Sequence, residues 1–155
     1  MMNESIQNTK RISMPELFMS IALLVKQRSI CKVNQVGVVI APLNLRNIYS
    51  FGYNGPVHGE NHNICNGISG QCGCLHAEIN ALLKVQVKDS EKVMFTTTSP
   101  CMYCAKAIIQ SGFSKIYYYE PYRDLSPIDY LKKFKIEVIQ LKTNFLENFA
   151  QFLTK

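Results

Sequence analysis

Leu75-His76-Ala77-Glu78-Ile79-Asn80-Ala81-Leu82-Leu83-Lys84-Val85, followed shortly by Val93-Met94-Phe95-Thr96-Thr97-Thr98-Ser99-Pro100-Cys101-Met102-Tyr103-Cys104, carries three elements within thirty residues. Ile79, Leu82 and Leu83 recur at helical spacing, so residues 75–85 read as a helix. Residues 93–98 are rich in β-branched side chains and read as a strand, ended by Ser99-Pro100. Residues 102–111 read as a second helix, stopped by Gly112. Helix, strand and helix in close succession point to an α/β architecture.

Working outward, residues 1–12 read as a loose arm. Ser13-Met14-Pro15-Glu16 is a helix start, with Ser13 as cap, Pro15 in the first turn and Glu16 completing a capping box. Leu17, Ile21, Leu24 and Val25 carry that helix to about Arg28. Residues 36–40 and 48–52 are short strands joined through Pro42-Leu43-Asn44, which predicts an antiparallel hairpin. Residues 53–74 hold five glycines and no periodicity, and a loop of that length is usually functional or held by something other than a core. Downstream come a strand over 116–119, a short helix over 128–133 and a last strand over 136–141. A terminal amphipathic helix is expected over 144–153, with Phe145, Phe149 and Phe152 on one side. The sum is a five-stranded mixed sheet with helices on both faces, in one domain over 13–155 with no internal repeat.

Composition narrows the function classes. The chain has 155 residues, 47% apolar and 18% charged, which suits one globular domain. A net charge of +6 favours anionic partners, from a nucleotide to a nucleic acid, without choosing among them. No apolar run approaches the roughly 20 residues that span a bilayer, so no membrane partner is expected. The polar start through Arg11 has no signal-peptide core, and a cytoplasmic location is the expectation. In a reducing compartment six cysteines argue for metal or catalysis over disulfides. Of the nine Cys and His residues, all but Cys31 lie between His58 and Cys104.

The metal chemistry follows from spacing. Cys101 and Cys104 open a helix as a Cys-x-x-Cys pair, which puts both sulfurs on one side and favours the thiolate. His76 makes a third ligand, and three ligands with a fourth position open is the catalytic arrangement of zinc. Glu78, two residues on, points to a different side and is suited to shuttle protons instead of coordinating. His-x-Glu followed by Pro-Cys-x-x-Cys is the pattern of zinc nucleobase deaminases. In that chemistry zinc lowers the pKa of water, hydroxide attacks the amino-bearing ring carbon, and the glutamate moves the protons.

The chain resembles the deoxycytidylate (dCMP) deaminase family of the cytidine deaminase superfamily over about residues 13–141. The matching words are Gln35-Val36-Gly37, Gly52-Tyr53-Asn54-Gly55, His76-Ala77-Glu78-Ile79-Asn80-Ala81, Thr98-Ser99-Pro100-Cys101-Met102-Tyr103-Cys104-Ala105-Lys106 and Ile116-Tyr117-Tyr118-Tyr119-Glu120-Pro121-Tyr122. The zinc words belong to the whole superfamily, and Gly-Tyr-Asn-Gly narrows it. The resemblance implies a three-layer αβα cytidine deaminase-like fold and hydrolysis of dCMP to dUMP and ammonia, supplying thymidylate synthesis. It implies that Asn54 bonds the deoxyribose, Ser99 holds the cytosine amino edge, the Ala77 N–H faces the pyrimidine carbonyl and Tyr122 lines the pocket. Arg28 resembles the family's basic position near the 5′-phosphate, with Arg123 a second candidate. Homo-oligomers regulated by dCTP and dTTP are common in the family, which makes both effectors and self-association expectations here.

A second, structural zinc is implied for the long loop. Cys31, His62, Cys65, Cys72 and Cys74 are available, and Cys31, Cys65, Cys72 and Cys74 form the favoured closed set, with His62 able to replace one. His58 reads as a loop residue near the phosphate.

Other readings are weaker. A tRNA adenosine or polynucleotide cytidine deaminase would suit the basic charge, but Lys and Arg are dispersed instead of forming a stripe. Free-nucleoside cytidine deaminases carry cysteine where this chain has His76, and riboflavin-pathway deaminases would not explain Gly-Tyr-Asn-Gly. A non-catalytic zinc-stabilised module has no need of Glu78.

Overall fold

Val38 and Ile40 alternate with Val39 and Ala41 along one strand, and all four are fully buried. A strand buried on both faces needs cover on both faces. The computed structural model, which describes residues 11–87 and 91–147, supplies it. One cluster packs Val38, Ile40, Met94 and Ile116 against Ala77, Ala81, Ala105, Ile108 and Leu131. The other packs Val39, Ala41, Val93 and Phe95 against Phe18, Met19 and Ala22.

The elements run α1 (Met14–Val25), β1 (Gly37–Pro42), β2 (Ser50–Tyr53), α2 (Ala77–Leu82), β3 (Lys92–Thr98), α3 (Met102–Gln110), β4 (Phe113–Glu120), α4 (Ser126–Lys133) and β5 (Glu137–Gln140). The sheet order is β2-β1-β3-β4-β5. β1 is antiparallel to β2 and β3, while β3–β4 and β4–β5 are parallel. The expected five-stranded mixed sheet and the hairpin are both present. α1 covers one face and α2, α3 and α4 the other, which is the three-layer αβα arrangement.

Element ends differ from expectation for local reasons. The Ser13–Glu16 capping box is present, but the helix it starts tightens into a 3-10 turn over Lys26–Arg28. α2 is shorter than 75–85, because Leu75 is held in a bridge to Gly55 and His76 is an extended N-cap. At its other end Lys84 and Val85 donate three residues back, to Ala81 and Leu82. β4 extends beyond 116–119 because it pairs with β3 from Lys92–Phe113 to Thr98–Glu120. α4 starts at Ser126, whose N–H is accepted by the Asp124 carboxylate at 2.9 Å, with Pro127 in the first turn. The expected arm lies almost wholly outside the described residues, as does most of the expected helix over 144–153, of which 145–147 form a turn.

Two glycines set the helices close to the sheet. A Cβ on Gly37 would lie 2.2 Å from the Ala22 carbonyl oxygen of α1, and one on Gly52 would lie 2.5 Å from both Ala77 O and Ala81 N of α2. These are backbone atoms, which cannot swing aside. Gly52→Ala is therefore expected to lower stability by about 1–3 kcal/mol or more, read as a shifted urea midpoint at constant slope. An unchanged midpoint would show that α2 can back away from β2.

Candidate active site and metal centres

His76 and Cys101 are each the extended N-cap of a helix, and neither uses its side chain to cap. Both side chains are free for other work. The Nδ1 of His76 lies 3.3 Å from the Cys104 sulfur and 3.6 Å from that of Cys101. Tetrahedral zinc, with Zn–N near 2.0 Å and Zn–S near 2.3 Å, requires nitrogen–sulfur edges of about 3.5 Å. The set fits zinc and leaves the fourth vertex without a protein ligand.

The second set is Cys31, Cys65, Cys72 and Cys74, with their sulfurs within 4.8 Å of one another. Cys31 lies 3.9 Å from both Cys72 and Cys65, close to the roughly 3.8 Å sulfur–sulfur edge of a zinc tetrahedron. Cys65 accepts the Lys32 backbone N–H at 3.2 Å. All four are free thiols, and His62, on a separate 3-10 turn, is not among the converging groups. The two donor sets thus suit one catalytic zinc and one structural zinc.

The charges are unevenly distributed. Cys101 is pulled down to about 4, first by its hydrogen bond with Cys104 and then by His76. Cys104 moves up for the complementary reason, reinforced by burial. His76 is raised, chiefly by Cys101. Cys65 falls to about 7 through the Lys32 N–H, whereas burial raises Cys31 and Cys74. Glu78 is 5% exposed, and burial raises its carboxyl. A buried carboxyl with a raised pKa holds a proton more readily.

Both donor sets border one cavity at the carboxyl end of β3. Cys31, Cys72 and Cys74 line it together with His76, Ala77, Glu78, Ser99 and Cys101. Asn54 and Tyr122 complete the expected residues brought together there. Arg28 is exposed on its 3-10 turn and is not among the lining residues, nor is His58. Asn54 is mostly engaged within the fold: its Oδ1 accepts from Ser29 Oγ and the Val36 N–H, and its Nδ2 donates to Asn34 O. Ser99 Oγ accepts the Tyr122 N–H at 2.7 Å.

Asn34, Thr98, Ser69 and Gly70 also line the cavity, and the sequence reading did not single them out. Asn34 donates to Thr98 Oγ1 at 3.3 Å. A polar residue just ahead of a fully buried strand was the available signal for Asn34. Ser69 carries none, since a serine in a glycine-rich loop is ordinary.

Comparison with known proteins agrees with this geometry. The family described as the cytidine and deoxycytidylate deaminase zinc-binding region matches residues 12–120. ComE operon protein 2 of Bacillus subtilis is 35% identical over 121 residues, covering 74% of this chain and 63% of that protein. The deoxycytidylate deaminase of Schizosaccharomyces pombe is 32% identical over 129 residues, covering 74% and 39%. The chain thus spans less than two thirds of the length of either relative. The crystal structure of dCMP deaminase from the cyanophage S-TIM5 in complex with dCMP and dUMP superposes with a TM-score of 0.74 at 32% identity, covering 84% of this chain and 100% of that one. With a zinc-fitting triad and a buried glutamate at the starts of α2 and α3, and a match over residues 12–120, the chain belongs to the cytidine and deoxycytidylate deaminase family.

Proposed function

We propose that the protein is a zinc-dependent dCMP deaminase, hydrolysing dCMP to dUMP and ammonia and so supplying dUMP for thymidylate synthesis. The observation that carries the reading is the placement of Glu78, buried and lining the same cavity as His76 and Cys101 without belonging to the ligand set. The likeness to the S-TIM5 enzyme, which was solved with dCMP and dUMP, supports the substrate.

A zinc ion held by His76, Cys101 and Cys104 would supply the Lewis acid that acidifies water. Glu78 takes the proton of the attacking water, delivers it to the ring nitrogen of cytosine, and then assists the departure of ammonia. The Ala77 N–H, in the first helical turn, has no intrahelical acceptor and faces the pyrimidine carbonyl. Ser99 keeps its proton and a lone pair for the amino edge after accepting from Tyr122. Asn54 retains one amide N–H for the deoxyribose, and Tyr122 forms a wall. Cys31, Cys65, Cys72 and Cys74 hold the structural zinc.

The reading extends to residues 13–155 as a single deaminase domain with 1–12 as an arm. It also makes the enzyme a cytoplasmic homo-oligomer acting on a free nucleotide instead of nucleic acid, with dCTP and dTTP as effectors. No helix among the described residues is long and apolar enough to cross a membrane.

Ammonia release from dCMP, cytidine, CMP, dCTP and an adenosine-bearing tRNA stem-loop, measured side by side, tests the reaction. Turnover confined to dCMP is expected; turnover of the stem-loop alone would make the chain a nucleic-acid deaminase, and silence on all five would sink the reading. Glu78→Gln is expected to keep its metal and lose about 10²–10⁴-fold in kcat, and loss of metal in this variant would instead make Glu78 structural. Cys65→Ser is expected to lower zinc content from two ions per chain to one by elemental analysis, leaving the His76 site loaded. Retention of both ions would refute the four-cysteine site.

A further inference from the structure

Asn54 lines the cavity yet is only 7% exposed, so its amide has to settle most of its hydrogen bonds inside the fold. Both lone pairs of Oδ1 are taken, by the Val36 N–H at 2.8 Å and the Ser29 hydroxyl at 2.7 Å. Nδ2 donates to Asn34 O at 2.7 Å. A flipped amide would set Oδ1 against the Asn34 carbonyl and Nδ2 against the Val36 N–H, two like pairings at hydrogen-bond distance. Among the described residues one amide N–H is left over. It is a donor, so the group it meets in the cavity has to be an acceptor.

Val36 and Asn34 decide which end of the amide faces out, and Ser29 fixes its torsion. Ser29 Oγ lies 2.8 Å from the main-chain oxygen of Asn54 and 2.7 Å from its Oδ1, so one hydroxyl grips backbone and side chain together. Its proton is directed there because the oxygen accepts the Cys31 N–H at 3.2 Å. Ser29 is itself held: it is 3% exposed, its N–H donates to Lys26 O at 3.0 Å, and its carbonyl accepts from Gln35 Nε2 at 2.7 Å. A serine that merely ended the 3-10 turn would bond locally, whereas this one reaches 25 residues along the chain. It is not among the residues lining the cavity, so it acts there only through Asn54.

We propose that Ser29 is a positioning residue, locking Asn54 so that its remaining amide N–H meets the 3′-hydroxyl oxygen of a bound deoxynucleotide. This rests on the dCMP deaminase reading, in which Asn54 bonds the deoxyribose. The 3′-hydroxyl is the only free hydroxyl on the sugar of dCMP, and its oxygen carries acceptor lone pairs. Because Ser29 fixes the amide before the ligand arrives, little side-chain freedom is lost on binding. The same hydroxyl holds the chain at Cys31, one of the four converging sulfurs, so the sugar contact and the sulfur-held loop share one anchor.

The test is equilibrium binding, by calorimetry on zinc-replete protein, of dUMP and of 2′,3′-dideoxyuridine 5′-monophosphate, which lacks the 3′-hydroxyl. No turnover is required. Wild-type protein is expected to prefer dUMP by about fivefold, as one neutral hydrogen bond implies. Ser29→Ala is expected to bring the two affinities within about twofold by weakening dUMP alone, and Ser29→Thr, which restores the hydroxyl, to recover the preference. The ratio is internal to each protein, so a smaller folded fraction weakens both ligands alike and leaves it unchanged. The assignment is overturned if Ser29→Ala keeps the preference, if it weakens both ligands equally, or if Asn54→Ala still prefers dUMP. A wild type that binds neither ligand overturns this assignment and the nucleotide reading together. A preference that depends on Ser29 in a protein that does not deaminate dCMP keeps the positioning role and removes the reaction.

Discussion

Between residues 56 and 74 the only buried side chains are those of Cys65 and Cys74. The Gly55–Leu75 bridge closes the loop at its base, with backbone hydrogen bonds of 3.2 and 2.8 Å. Inside that base, the buried residues that cluster are Cys31, Cys65 and Cys74, with Cys72 packed against them. A segment this rich in glycine loses much backbone entropy on ordering, and three buried thiols are too small a core to offset it. Convergence of four metal-ligating sulfurs is the interaction that can. The wall containing Ser69 and Gly70, and the place from which His76 departs, both depend on it.

The part of the cavity that α2 supplies depends on backbone contact. Gly52 admits the first turn of α2 against β2, and Ser50 Oγ donates to Ala81 O at 2.8 Å beside that contact. Asn80 Nδ2 donates to Tyr53 O at 2.8 Å, a second tie from the helix to the strand. α2 is only six residues long, too short to hold itself by its own hydrogen bonds. These ties, together with the burial of Ala77 and Ala81, keep Glu78 facing the cavity. α3 reaches the same point from β3 through Ser99-Pro100-Cys101, and Ser99 N donates to Glu120 O, which aligns the helix start with the end of β4.

Much of this was legible in the sequence because metal chemistry restricts residue type and spacing together. His76, Cys101 and Cys104 could be picked out by pattern, and the fold brings them together; so too with Cys31, Cys65, Cys72 and Cys74. Strand cores were legible because burial on both faces produces unbroken apolar runs such as 38–41. Element ends were less so. The last turn of α1 and the short span of α2 are decided by contacts to Gly37, Gly52 and Gly55 that lie far along the chain. Asn34 and Ser69 were hidden for a related reason: an uncharged polar side chain acquires its meaning from what faces it. The resemblance ranks Arg28 ahead of Arg123, yet Arg28 lies outside the cavity lining, because a guanidinium on a turn reads the same in sequence whether it faces water or a cavity.

A single residue, Leu75, separates Cys74 of one donor set from His76 of the other, and the bridge to Gly55 pins it. Ordering that short stretch is a shared requirement of both metal sites. Whichever ion arrives first fixes the segment, and the second meets ligands already in place, so its binding carries a smaller entropic penalty. Linkage makes the benefit mutual. A structural ion would thus favour loading of the catalytic site without touching it.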